Sequence, residues 1–551
     1  MIHRGGSRIA VALAMALVLL VAACAGDAND TSSGGGVGAG QSEEIGDEGE
    51  PVDGGALVVA VSSETSGWNP AIDRWAPDGA LVGSTILEPL ATLDAEGVAQ
   101  PWLATSWTPN DTYDVWTIDL RPGITFHDGS PFDAQAVKDN LDFIVDAPLS
   151  SVAMRPLFGE VVVIDDDTVE VRLLTRWAAF PSSFLAGQSA FMRAPASMLT
   201  EDRGSRRPVG TGPFVFQDWV PDVSFKADAN PDYWVEGQPH LDSVEFRVIT
   251  DPTSRVASLE TGDVDLVLLT DPATDQRLEA DYTVLRNWDV TPAAMLTNVR
   301  PTVDGNFNPM SNIHARLAMA HAIDRDALAA NVGEGVQVPS SPFSPDNPWG
   351  QPSELNGYPD FDPDAARREL VAYTEETGEE TLSVEIAGPS DVSTLETLQL
   401  VQQQLAAVGI DSRINSLDAS SLISAVVGAK YEVALFSNYS SPDPDQNHYF
   451  WSASTATGEG GININFTGFT NDTTEAALRQ GRENEDADVR KEAYNTLVEE
   501  MNANAVNLWL YYAPQSMVAA PRVRGLSAIG DVRFANFQPK TWLGGLWLAP
   551  A

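Results

Sequence analysis

A single cysteine, Cys24, stands in 551 residues, so no internal disulfide can brace the fold. Basic residues are scarce as well. Thirty-two Lys and Arg face 78 Asp and Glu, a formal charge of −46. Lysine occurs only at Lys138, Lys226, Lys430, Lys491 and Lys540. A surface of that sign repels a phosphate backbone, which excludes nucleic acid as a partner. The excess acid reads as a solvated exterior. Histidine occurs six times. His314 and His321 fall on one predicted helix but two turns apart, too far to share one metal as an i, i+4 pair would. Beyond residue 21 no apolar run reaches the ~20 residues that span a bilayer.

Catalytic signatures are missing too. There is no G-x-S-x-G elbow, and Gly187-Gln188-Ser189-Ala190 falls short of one. Neither a G-x-x-x-x-G-K-[ST] loop nor a G-x-G-x-x-G loop occurs. Gly210-Thr211-Gly212 runs into Pro213, whose missing N–H suits a turn better than an anion cradle. Asp165-Asp166-Asp167 reads as a turn between strands. These absences predict a protein that is not an enzyme and holds neither cofactor nor metal.

What is present begins at the N-terminus. Arg4 and Arg8 precede the apolar run Ile9 to Val21, which ends in Val21-Ala22-Ala23-Cys24. A basic start, a short apolar core and small residues at the cut make a secretory signal over residues 1–23. The last tetrapeptide resembles a bacterial lipobox, which makes Cys24 the lipid-attachment site. Residues 24–55 are Gly, Ser, Asp and Glu with almost nothing to bury, and read as a disordered tether. About 30 flexible residues reach roughly 30 Å. The expected location is extracytoplasmic, lipid-anchored to the outer face of the cell membrane.

Globular sequence starts at residue 56. Hydrophobic residues make up 43% of the chain, an ordinary globular fraction, and the length allows two or three domains. Residues 56–61 form a continuous apolar run suited to a buried strand. Trp116, Ile118 and Leu120 alternate, as do Val169, Val171 and Leu173 beyond the acidic turn. Asp133 is placed to cap a helix carrying Val137, Leu141 and Ile144. One helix is expected from about 312 to 330, and another opens at Asp362-Pro363. Residues 382–386, a helix striped by Leu398, Val401, Leu405 and Val408, and residues 410–414 form a βαβ-like unit closed by Gly409. Residues 431–436 read as one more strand. The class is α/β.

Four segments resemble the family 5 solute-binding proteins of ABC importers, a group that includes oligopeptide, dipeptide and nickel binders. The first is ILEPLATLDAEGVAQPWLATSW with WTIDLRPGITFHDGSPFDAQAV, between Ile86 and Val137. It follows the family order E-x-L, then P-x-L-A-x-S-W, then L-R-x-G-x-x-F-H-D-G-x-P. The second is Val209-Gly210-Thr211-Gly212-Pro213-Phe214 with Asn230-Pro231-Asp232-Tyr233-Trp234. The third, Asp251 to Asp265, carries R-x-x-x-L-x-x-G-x-x-D from Arg255. The fourth is RLAMAHAIDRDAL from Arg316. Gly123, Gly129, Gly210 and Gly212 sit where turns need a permissive backbone, and His127-Asp128-Gly129 reads as a turn.

The resemblance implies a periplasmic-binding-protein-like type II clamp of two lobes with an extra inserted subdomain. Lobe I comprises 56–85, 201–295 and 515–551. The inserted subdomain is 86–200, and lobe II is 296–514. A monomer would enclose a small-molecule or peptide ligand between its lobes and dock on a permease whose ATPase chains are separate. In peptide-binding relatives an aspartate just before a P-D-P-like segment meets the ligand's α-amino group. Here Asn438 or Ser440 falls on that position, and neither is charged. Asp443 and Asp445 could supply the charge, or simply form a Pro/Asp turn. Trp68, Tyr439, Phe450 and Trp451 are candidates for stacking on ligand, with core packing as the alternative. Trp349 is a weaker candidate. An oligopeptide or dipeptide is the leading ligand. An oligosaccharide, an opine-like compound or a metal chelate is the alternative, and a surface hydrolase is the reading from another class.

Overall fold

The computed structural model describes residue 45 and residues 48–550, apart from 74, 76, 95–96, 148–149, 151–153, 288–291, 334, 344–346, 353–354, 391, 437–442, 513–514 and 529–542. Cys24 and the expected signal lie outside the described residues. Among those described, most strands gather into three sheets of seven, five and four.

The seven-stranded sheet is built around Ala56–Val61, which pairs in parallel with Ser243–Val248 on one side and Leu266–Leu269 on the other. Such a strand is covered on both faces, which explains its unbroken apolar sequence. Antiparallel strands extend the sheet to Phe214–Val220 at one edge and, through Gln515–Ala519, to Thr283–Asn287 at the other. The five-stranded sheet runs Asp411–Leu417, Ser383–Pro389, Val433–Leu435, Ala293–Thr297, Asn507–Tyr511. The βαβ unit expected around Leu398 supplies its parallel pair. The helix in that crossover, Val392–Val408, ends at Gly409 with φ +97°.

The four-stranded sheet is antiparallel. Trp116 lies opposite Val171 and Ile118 opposite Val169, so the alternating residues of both strands share one buried face. The helix Ala134–Asp146 covers that face with Val137, Leu141 and Ile144, and Asp133 caps it by accepting from the Ala136 N–H at 2.8 Å.

Two expectations change. The helix expected over about 312–330 is two helices, Ile313–Ala322 and Arg325–Val332. Ile323 between them is extended and buried, and Asp324 caps the second helix through the Ala327 N–H at 3.0 Å. An aspartate with a free side chain competes with the helix and starts a new one. The tether, expected to reach residue 55, is bound to the body from Glu48 onward. The Glu48 carboxylate accepts the Leu526 and Ser527 N–H groups, each at 2.9 Å. The Gly54 N–H donates to the His240 carbonyl at 2.7 Å, and Asp53 meets His240 Nδ1 at 2.8 Å. Polar composition suggested a free segment, but polar side chains also make good straps where donors wait for them.

Residues 86–200 and 201–295 meet at a polar junction. Glu88 is fully buried there and accepts four side-chain hydrogen bonds: Trp102 Nε1 at 2.9 Å, Thr211 Oγ1 at 2.8 Å, the Tyr233 hydroxyl at 2.8 Å and Trp234 Nε1 at 2.9 Å. Burial pushes its carboxyl up to about 7, against the pull of those four donors toward the ionised form. His127 Nε2 bonds the Gly212 carbonyl at 2.9 Å, and burial pushes the imidazole down to about 4. The ring is therefore a neutral spacer between two backbone segments. Asp128 accepts from the Ser130 N–H at 3.0 Å, closing the turn expected at His127-Asp128-Gly129.

Gly123 and Gly129 have φ near +80°, as a permissive turn requires. Gly210 and Gly212 do not have positive φ, and their reason is different. A Cβ on Gly210 would stand 2.0 Å from the Ile86 carbonyl oxygen, and one on Gly212 would stand 2.7 Å from that of Thr85. Close backbone approach, not turn conformation, demands glycine there.

Candidate functional site

Asn438, Tyr439 and Ser440 lie outside the described residues. The described chain resumes at Asp443. Asp443 opens a helical turn over Pro444–Asn447 by accepting the Asp445 N–H at 2.9 Å, and the short helix His448–Trp451 continues it. The structure thus brings Asp443, Phe450 and Trp451 together on one stretch of chain. Phe450 packs against Phe466 at 5.8 Å and Trp451 against Phe343 at 6.4 Å, in the core of the five-stranded sheet.

Trp68 is not with them. Its indole belongs to the core of the seven-stranded sheet, 5.5 Å from Trp219 and 4.6 Å from Phe225. It lines a cavity of about 10 Å³, room for about one water and no solute. Trp349 is buried beneath the Arg490 guanidinium, which sits 4.7 Å over its ring. Trp68, Phe450 and Trp451 are each at most 4% exposed, so in this conformation all three rings pack in the core. An open groove of about 520 Å³ near Phe307, Ile313 and Glu376 contains none of the candidates.

Asp443 and Asp445 are at most 2% exposed, and both are engaged. Arg490 Nη2 meets Asp443 Oδ1 at 2.6 Å, and Arg482 Nε meets Asp445 Oδ1 at 2.9 Å. Burial works to raise the Asp445 carboxyl, but Arg482, His448 and Arg490 hold it well below the usual range. Burial likewise opposes the charge on Arg490, and Asp443 more than restores it. Each carboxylate takes a further donor from residues 86–200. Trp177 Nε1 reaches Asp445 Oδ2 at 2.6 Å, and the Ser182 hydroxyl donates to Asp443 Oδ2. Sequence reasoning missed Trp177, Ser182, Arg482 and Arg490. Trp177 and Asp445 are separated by 268 positions, and no local pattern connects them.

Among the described residues no group of three or more His, Cys, Asp and Glu is arranged to hold a metal ion. Among the same residues, no helix is long and apolar enough to cross a membrane.

Comparison with known proteins defines the class. The ABC transporter-associated periplasmic binding protein DppA of Helicobacter pylori, solved with the peptide STSA, superposes with a TM-score of 0.76 at 21% identity, covering 90% of this chain and 98% of that one. The oligopeptide-binding protein AppA of Bacillus subtilis, solved with a nonapeptide, gives 0.75 at 20% identity, covering 91% and 100%. The fold is therefore the type II two-lobed clamp of periplasmic binding proteins. The model of the bacterial extracellular solute-binding proteins, family 5, matches residues 98–460, and this chain belongs to that family. In sequence it is similar to the glutathione-binding protein GsiB of Pectobacterium atrosepticum, 27% identical over 454 residues that make up 77% of this chain and 84% of that protein.

Proposed function

We propose that this protein is the substrate-binding lipoprotein of an ABC importer. It is not an enzyme. It captures an extracellular peptide between two lobes and hands it to a membrane permease driven by separate ATPase chains. The observation that carries this reading is the family match over residues 98–460. Relatives described as binding glutathione, a tetrapeptide and a nonapeptide support a peptide ligand.

The lobes are 56–85 with 201–295 and 515–551, and 296–514, with 86–200 inserted in the first. The strand pairing supports a hinge between them. Thr283–Asn287 pairs with Gln515–Ala519 in the seven-stranded sheet, and Ala293–Thr297 pairs with Asn507–Tyr511 in the five-stranded sheet. The same two stretches of chain are therefore paired with each other in both sheets. Two short connections between separate sheets are the kind of link about which two lobes rotate.

A thermal-shift screen of the purified protein against glutathione, di- and oligopeptides, cello-oligosaccharides and nickel chelates tests the ligand class. A peptide supplied at ~100 times its dissociation constant should add about 2.7 kcal/mol to the unfolding free energy. A shift with a sugar or chelate and none with any peptide would replace the ligand, and turnover of a ligand would end the binding-protein reading. The anchor has its own test. Cys24→Ser should leave the precursor unprocessed or release protein from the membrane fraction. A Cys24→Ser protein that is cleaved normally and stays with the membrane removes Cys24 as the lipid site.

A further inference from the structure

We propose that the segment Trp177–Ser183 is a separable latch that holds the inserted subdomain against lobe II in the closed clamp. The proposal rests on the hinged-clamp reading above. The segment is anchored on its own side. Trp177 packs edge-on against Phe180 at 5.3 Å and Phe184 at 6.0 Å, within the core of the four-stranded sheet. From there it reaches across to residues 443–483. Besides the Trp177 and Ser182 bonds to Asp445 and Asp443, the Ala178 and Ala179 N–H groups donate to the Arg482 carbonyl at 2.9 and 3.1 Å. Gln446 Nε2 donates to the Ser182 carbonyl at 3.0 Å, and Arg176 Nε to the Glu483 carbonyl at 2.6 Å. The Arg482 guanidinium lies 4.8 Å over the Trp177 ring.

The division of charge across this contact makes it reversible. The two carboxylates and the two guanidiniums that neutralise them all lie on lobe II, so among the described residues no ion pair crosses. An indole N–H, a hydroxyl, an amide and two backbone N–H groups cross, along with one guanidinium bonded to a carbonyl. Withdrawing the segment leaves Asp443 with Arg490 and Asp445 with Arg482, and water can replace the departing donors. A crossing ion pair would instead have to be broken at every withdrawal, parting each charge from its partner. Hydrogen bonds to charged acceptors are the stronger kind, which lets a few neutral donors bias the closed population without making it permanent.

The test uses the ligand-free full-length protein and two variants, Ser182→Ala and Trp177→Phe, with hydrogen exchange and small-angle X-ray scattering. Ser182→Ala removes one hydroxyl and keeps the packing, so it remains informative if Trp177→Phe loosens the aromatic cluster. In each variant the protection of the Ala178 and Ala179 amides should fall roughly tenfold. The radius of gyration should rise, while protection in Val115–Leu120 and Asn507–Tyr511 stays at the wild-type level. Unchanged protection at Ala178 and Ala179, in a protein whose scattering still reports open and closed forms, overturns the latch and leaves the clamp standing. Scattering from one rigid body in the wild type and both variants removes the hinge between the lobes, and the latch with it.

Discussion

Arg490→Met is expected to cost about 3–5 kcal/mol of unfolding free energy, because it strands a buried carboxylate. Arg490 donates to Asp443 at 2.6 Å and to the Gly481 carbonyl at 2.8 Å, and it covers Trp349. Methionine keeps most of the volume over the ring but none of the charge. Asp443 is fully buried, so its carboxylate cannot turn to water. The sign separates from simple packing loss through a second substitution. Adding Asp443→Leu removes the stranded charge, and the double variant should be more stable than Arg490→Met alone. Urea unfolding of the three proteins measures this. A double variant no more stable than Arg490→Met means that the pair's charge is not what holds the turn at Pro444–Asn447 and the helices Asp472–Glu483 and Ala487–Ala503 together.

The second large effect is at Glu88. Glu88→Leu takes the acceptor from four donors at once. Thr211 and Tyr233 are buried, and Trp102 and Trp234 are half-buried. A stranded buried donor costs about 1–3 kcal/mol, so with the two half-buried indoles partly rehydrated the loss should be about 3–5 kcal/mol. Glu88→Gln should fall between wild type and Leu. Its amide oxygen still accepts, while its NH₂ group faces donors. Calorimetry of the three proteins should show that order. Because Glu88 joins residues 86–200 to 201–295, the Leu variant should also split off a separate early transition for the four-stranded sheet. Equal melting of Gln and Leu would show that packing, not the four hydrogen bonds, sets this junction.

Much of the local structure was legible in the sequence because its causes are local. The apolar run at 56–61, the alternation at Trp116, Ile118 and Leu120, the cap at Asp133 and the stop at Gly409 each rest on neighbours within a few residues, and each appears where expected. The break at Ile323 was hidden because Asp324 is equally at home on a helix surface and at a cap. The docking of residues 48–55 was hidden for a similar reason, since Gly and acid residues read the same whether free or held by Ser527 and His240.

The candidate site was less legible. Asp443 and Asp445 were visible as acids beside an uncharged segment, but whether an acid faces a ligand or an arginine depends on what folds against it. Trp68 and Phe450 could each stack on a ligand or fill a core, because an aromatic ring has the same chemistry in both places.

The sequence by itself determined the family, the α/β class, the single thiol and the acidic charge, since these follow from residue identity and short-range order. Tertiary structure alone decided that Glu88 has four partners, that Gly210 lies against the Ile86 carbonyl, and that Trp177 meets Asp445. Those pairings join segments up to 268 residues apart. Hydrogen bonds and ion pairs act over a few ångströms, so they become definite only after the hydrophobic cores have brought distant segments into contact.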